Sequence, residues 1–212
     1  MKTSELIEAL AADPKPRGPG LLQTCVLALA LGAAVSAAIF LAMIGPRADF
    51  MQAIHTLRFD LKFADTLALL LPSALLGLHI LRPDSRVGAM VLLFAAPIML
   101  LGGAVLVELS VIPRAQWGAL MLGDNAMHCL RVIPLLAIAP LFALIYAMRG
   151  GAPQNPTLAG ALAGAASAGI AATLYASNCP DDSPLFVVSW YPLATLIVVA
   201  AGAVLGNRLL RW

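Results

Sequence analysis

Six long apolar runs, nearly free of charge, constrain this chain more than anything else in it. They cover residues 21–44, 66–81, 87–107, 130–146, 158–176 and 185–205. A helix that spans a bilayer needs about 20 mostly apolar residues, and each run meets or nearly meets that length. A buried helix of a water-soluble protein can be apolar on every face. Six of them in a chain of 212 residues would leave almost no surface for water. Composition agrees, with 61% hydrophobic and 11% charged residues against about 25% charged in ordinary globular domains. The expected fold is all-α: a polytopic membrane protein built as a bundle of six transmembrane helices. The second run is short unless it extends back towards Leu61.

Six spans put both termini on one side. That side would carry Lys2, Lys15, Arg17, Arg82, Arg86, Arg149, Arg208 and Arg211, and the other Arg47, Arg58, Lys62, Arg114 and Arg131. The positive excess places both termini inside, in the cytoplasm. No cleaved signal peptide is expected, because the first run is too long for a signal core and follows a polar head. The net charge of +2 gives no reason to expect direct nucleic-acid binding.

Residues 1–20 read as a short helix and a linker. Thr3 or Ser4 can cap the helix, and Leu6, Ile7 and Leu10 form a narrow apolar stripe. Pro14, Pro16, Gly18, Pro19 and Gly20 then interrupt regular structure. The head is either a disordered tail or a segment that folds into a partner's groove through that stripe. Between the first two runs, Phe50, Ile54, Leu57 and Leu61 recur at helical spacing, as in an interfacial helix or an extension of the second span. The fifth run repeats small residues at Gly160, Gly164, Ala168 and Ala172, which lets a neighbouring helix approach closely. Trp190, Tyr191 and Trp212 suit membrane anchoring.

Chemistry concentrates in two short polar stretches. Residues 177–184, Ser-Asn-Cys-Pro-Asp-Asp-Ser-Pro, separate the last two runs, and the prolines make them a tight turn. Residues 123–129, Gly-Asp-Asn-Ala-Met-His-Cys, precede the fourth. Cys129 would then sit in the first turns of a helix capped by Asp124 or Asn125, where the helix field favours a thiolate. Cys179 would lie at a similar depth on the same outer face, an oxidising compartment in which a disulfide is possible. Asp181, His128 and His55 are nearby candidates to complete a zinc or copper site. His128 and Cys129 are adjacent in sequence and point about a hundred degrees apart, so Cys129 is the better ligand. A lone histidine such as His55 is more often an interfacial polar residue than a ligand, and two unrelated structural cysteines remain an alternative to a shared site. Cys25, inside the first run, reads as a small buried hydrophobe. No nucleotide, metalloprotease or hydrolase motif occurs, nor any Cys-x-x-Cys pair, so nothing points to an enzyme. No run centre holds an ionisable residue apart from Cys25, which weighs against a transporter.

These residues carry a family likeness. Met1-Lys2-Thr3 with Leu6-Ile7 and Leu10-Ala11-Ala12-Asp13 resembles the start of the NrsF-like anti-sigma factors, also called the DUF1109 family. So do His128-Cys129-Leu130 with Ile133-Pro134, residues 179–186 followed by Trp190-Tyr191, and the ending 206–212. The likeness covers the whole chain. It implies a bacterial inner-membrane protein that holds an extracytoplasmic-function (ECF) sigma factor at its cytoplasmic face through residues 1–20. It implies that two cysteines, matching Cys129 and Cys179 within a sensor domain of residues 21–212, respond to metal or oxidative stress. The competing class is a small metal-handling or redox membrane protein, a transporter or a thiol oxidoreductase. Membrane lipid is a partner under either reading.

Overall fold

A computed structural model describes Thr3, Ile7, residues 19–82, Ser85 and residues 87–211. The chain is all-helical over these residues, with six segments long and apolar enough to cross a membrane. Span one is α1, Leu21–Met43. A single turn, α2 at Phe50–Ala53, leads into span two, α3 at Leu57–His79. Span three begins as a 3-10 turn at Gly88–Phe94 and continues as α4, Ala95–Val111. Pro97 falls in the first turn of α4, where a missing N–H costs little. The short α5, Arg114–Leu122, precedes span four, α6 at Ala126–Met148. Spans five and six are α7, Pro156–Ala176, and α8, Pro184–Leu209.

Two of these helices start with proline behind a capping side chain. Asn155 accepts a hydrogen bond from the Leu158 amide at 3.0 Å, and Ser183 from the Leu185 amide at 3.2 Å. A proline at the first helical position has no amide to leave unpaired, so each cap sets a sharp start.

Span five is the centre of the bundle, its alanines and glycines buried on nearly every side. Its small-residue stripe meets a matching pair on span six. A Cβ added at Gly160 would lie 2.1 Å from the Gly202 carbonyl oxygen, and one at Gly202 would lie 2.3 Å from that of Gly160. The two backbones therefore touch, and only glycine fits. Span one packs on span four in the same manner, with Gly32 against Pro140. Pro140 cannot donate to the carbonyl one turn back. The Ser36 hydroxyl of span one donates to that carbonyl, Leu136 O, at 2.6 Å. The partner helix thus satisfies a backbone group that lipid could not.

Span two takes the longer of the two extents open to it. It begins at Leu57, so Phe50–Ala53 is a separate turn and the rest of the loop's apolar stripe extends the span. The extension carries Arg58, Asp60, Lys62 and Asp65 into a membrane helix. These charges stand in the first turns of the span, outside the apolar run and away from its centre, because a hydropathy window ends where charge begins even when the helix does not. Tyr191 is also not an interfacial anchor. It is buried, its ring 6.1 Å from that of Tyr175. Ile7 is helical and exposed. Leu6 and Leu10, the rest of the head's stripe, and Trp212 lie outside the described residues.

Candidate functional site

The turn between spans five and six, residues 177–183, is held at one end of the bundle by every neighbouring segment. From the first loop, the Arg47 amide donates to Ser177 O at 3.0 Å, and Asn178 Nδ2 donates to Gly45 O at 2.9 Å. Arg47 grips Asp49 through two nitrogens at 2.6 and 2.7 Å, and its third pairs with Asp182 at 2.8 Å. The bond to Asp49 raises the Arg47 pKa above its usual range and holds the Asp49 carboxyl below the usual carboxylate range.

From span two comes Lys62, whose side chain is 1% exposed. Its ammonium forms an ion pair with Asp182 Oδ1 at 2.5 Å. It donates to the Cys179 carbonyl at 2.8 Å and reaches that of Asp181 at 3.5 Å. From span three, the buried Glu108 pairs with Arg58 at 2.9 Å and accepts from the Ser183 hydroxyl at 3.1 Å. Lys62 and Glu108, the buried charged residues among those described, each have an opposite partner, the condition under which charges persist in a membrane protein.

Asp181 faces span four. Its Oδ2 accepts from the Asp124 amide at 3.2 Å, the Asn125 amide at 3.0 Å and Asn125 Nδ2 at 3.0 Å. Asn125 occupies the cap position of α6, but its side chain does not cap the helix. The carboxylate at this helix start is supplied by the Cys179 turn, where it meets the positive end of the helix dipole. Gly123, with φ of +55°, admits the contact: a Cβ there would lie 2.5 Å from the Phe186 ring and 2.9 Å from Asp181 Cγ.

Between these ties lie Cys129 and Cys179, both 0% exposed and part of one packed cluster with Tyr175, Phe186 and Tyr191. They are close enough for a charge on Cys179 to act on Cys129, and both are free thiols. The Tyr175 hydroxyl lies beside the Cys179 sulfur but outside ordinary hydrogen-bond geometry. Burial pushes the Cys179 thiol above its ordinary pKa, and the Lys62 ammonium pulls it partly back. Cys25 is also buried, one turn into span one at the opposite end.

The other candidate ligands are arranged differently. His128 is exposed, its ring 5.8 Å from that of Tyr175. His55 is exposed in the turn before span two. Asp181 is already engaged at the start of α6. Among the described residues, no three His, Cys, Asp or Glu side chains gather as a metal site. The donor set thus lacks the four ligands of a structural zinc site. The two buried thiols offer the halves of a disulfide or, to a soft ion, sulfur ligands alone.

Lys62, Glu108 and Arg47 are the residues that sequence reasoning missed. Lys62, Asp65, Thr66 and Leu69 follow one another at steps of three, one and three. That spacing marks one helical face and was the available signal for a charged face continuing into the span.

A family model described as "Negative regulator of sigma F" matches residues 10–212. The chain is 31% identical over 216 residues to the "Probable anti-sigma-F factor NrsF" of Azospira oryzae, covering all of both chains. It is 32% identical over 220 residues to the "Anti-sigma-F factor NrsF" of Caulobacter vibrioides, again over all of both. No solved structure matches it.

Proposed function

This chain belongs to the NrsF family of negative regulators of sigma F, and from that premise we propose that it is an inner-membrane anti-sigma factor. Its role is regulatory and not enzymatic. It holds an ECF sigma factor at the cytoplasmic face, through the head of residues 1–20, and releases it when Cys129 and Cys179 react on the periplasmic side. The observation that carries the sensing part of this reading is the burial of both thiols in one cluster, beneath a turn tied to four other segments. A chemical change at the sulfurs must strain those ties, so a local event reaches several helices at once.

Of the two stresses the family likeness suggests, the geometry favours oxidation. Two thiols without a third ligand need only lose two electrons and two protons to join. A metal ion would be held by Cys129 and Cys179 alone, which favours a soft cation such as Cu(I) over zinc. The deciding experiment is affinity purification of the full chain from its native host. A sigma factor should be recovered in stoichiometric amount from unstressed membranes and be absent after stress. Metal flux in proteoliposomes, with no sigma factor recovered, would instead support the metal-handling alternative.

A further inference from the structure

We infer that Lys62 is a positioning residue, which fixes the turn bearing Cys179 and ties that turn to the second span, so that a change at the sulfurs moves this helix. The inference rests on the sensing role proposed above. All the polar atoms that Lys62 engages belong to one turn: the Cys179 carbonyl at 2.8 Å, the Asp181 carbonyl at 3.5 Å and the Asp182 carboxylate at 2.5 Å. The turn thus folds around the tip of one side chain, and Lys62 is the link closest to the sulfur, one carbonyl away. Only 2% of the residue is exposed, so no water is at hand to replace those acceptors. The stem is fixed too, since the ammonium lies 5.6 Å from the centre of the Phe59 ring.

From Lys62 the helix runs without a break to His79, about 26 Å at 1.5 Å per residue. Just beyond its far end, the Leu81 carbonyl accepts from the Ala152 amide at 3.1 Å, in the loop between spans four and five. Span two therefore bridges the thiol turn and the opposite face. Pro72 lies within it and removes one backbone hydrogen bond, which supplies a joint. The remaining ties of the turn reach the first loop, the third span and the start of span four. None of them ends on the Cys179 carbonyl at so short a distance.

The test uses the full chain in native membranes, with Cys25→Ser to leave one thiol pair and diamide as the probe. Diamide takes two hydrogen atoms from the Cys129 and Cys179 thiols and becomes the hydrazine as the S–S bond forms. Disulfide formed and sigma factor released are both measured, in the unaltered chain and in the Lys62→Met and Lys62→Arg variants. Lys62→Met leaves Asp182 paired with Arg47. It should release less than a tenth of the sigma factor per disulfide formed, or fail to form the disulfide at all, while Lys62→Arg behaves as the unaltered chain. Equal release per disulfide in Lys62→Met would overturn the assignment. Should Lys62→Met not accumulate, Lys62→Gln takes its place, and accumulation of neither would make Lys62 a folding residue and overturn it as well. An unaltered chain that never retains a sigma factor would contradict the functional reading instead, so the two failures are distinct.

Discussion

A lysine ammonium buried in a membrane helix is costly unless its partners are charged and close. Lys62 has both, and its partners are the backbone and side chain of the turn that carries Cys179. At this scale the placing of Cys129 and Cys179 at one end of the bundle was legible in the sequence, because each stands in a short polar stretch at the boundary of an apolar run. Lys62 and Glu108 were not, because their partners are far away in the chain and a hydropathy window treats charge as the end of a helix. Two predictions belong here. Single Cys129→Ser and Cys179→Ser variants should each lose most of the stress response, and the double variant should match either single one, since members of one unit do not add. Reporter assays of sigma-dependent transcription check this, and simply additive effects would indicate independent cysteines. The second concerns Cys179 alone, in a Cys25→Ser, Cys129→Ser chain. Burial raises its pKa, so the protonated thiol should persist at pH values where an ordinary thiol near 8.5 is half ionised. Alkylation by iodoacetamide at pH 8 should therefore run at least tenfold slower than for a small free thiol and accelerate only at higher pH. A rate equal to that of the free thiol would show that the sulfur is not buried.

The helices fit together by backbone contact more than by large side chains. The stripe of small residues on span five announced a close neighbour, and Gly202 and Gly206 of span six supply it. The sequence could not say which span that would be, because the other apolar runs also carry small residues. A Gly160→Ala change places a methyl group 2.1 Å from a carbonyl oxygen, so the helices must separate, at a cost of roughly 1–3 kcal/mol for overpacking. A Ser36→Ala change leaves the Leu136 carbonyl without its donor, at a cost of about 1–3 kcal/mol for an unsatisfied buried group. Both variants should lower the apparent melting temperature in detergent by several degrees, read by fluorescence or by loss of the monodisperse peak. A Gly102→Ala control, where an added Cβ meets nothing within 4 Å, should leave it unchanged. Equal melting temperatures for all three would contradict the packing described.

For the whole molecule, hydropathy alone identified six spans, and the open extent of span two is settled by its charged first turns, which hydropathy cannot assign to a helix. Charge counting predicts that both termini face inside, and thiol labelling in intact cells tests it. A cysteine at Gln116, exposed at the thiol-pair end, should react with an impermeant reagent, and one at Ala152 should not. The head has its own test. Leu6→Ala with Leu10→Ala removes most of its apolar stripe, and a loss of even about 3 kcal/mol weakens binding over a hundredfold. Sigma-dependent genes should then be expressed without stress, with membrane levels of the protein unchanged; intact repression would make the head a mere tail. The central claim is that joining Cys129 to Cys179 is what frees the partner. It is tested most directly by peptide mapping of the affinity-purified complex before and after diamide treatment. The account predicts an intramolecular Cys129–Cys179 disulfide that appears in step with loss of the sigma factor. A complex that keeps its sigma factor after this bond has formed, or loses it while both thiols stay free, would contradict the account.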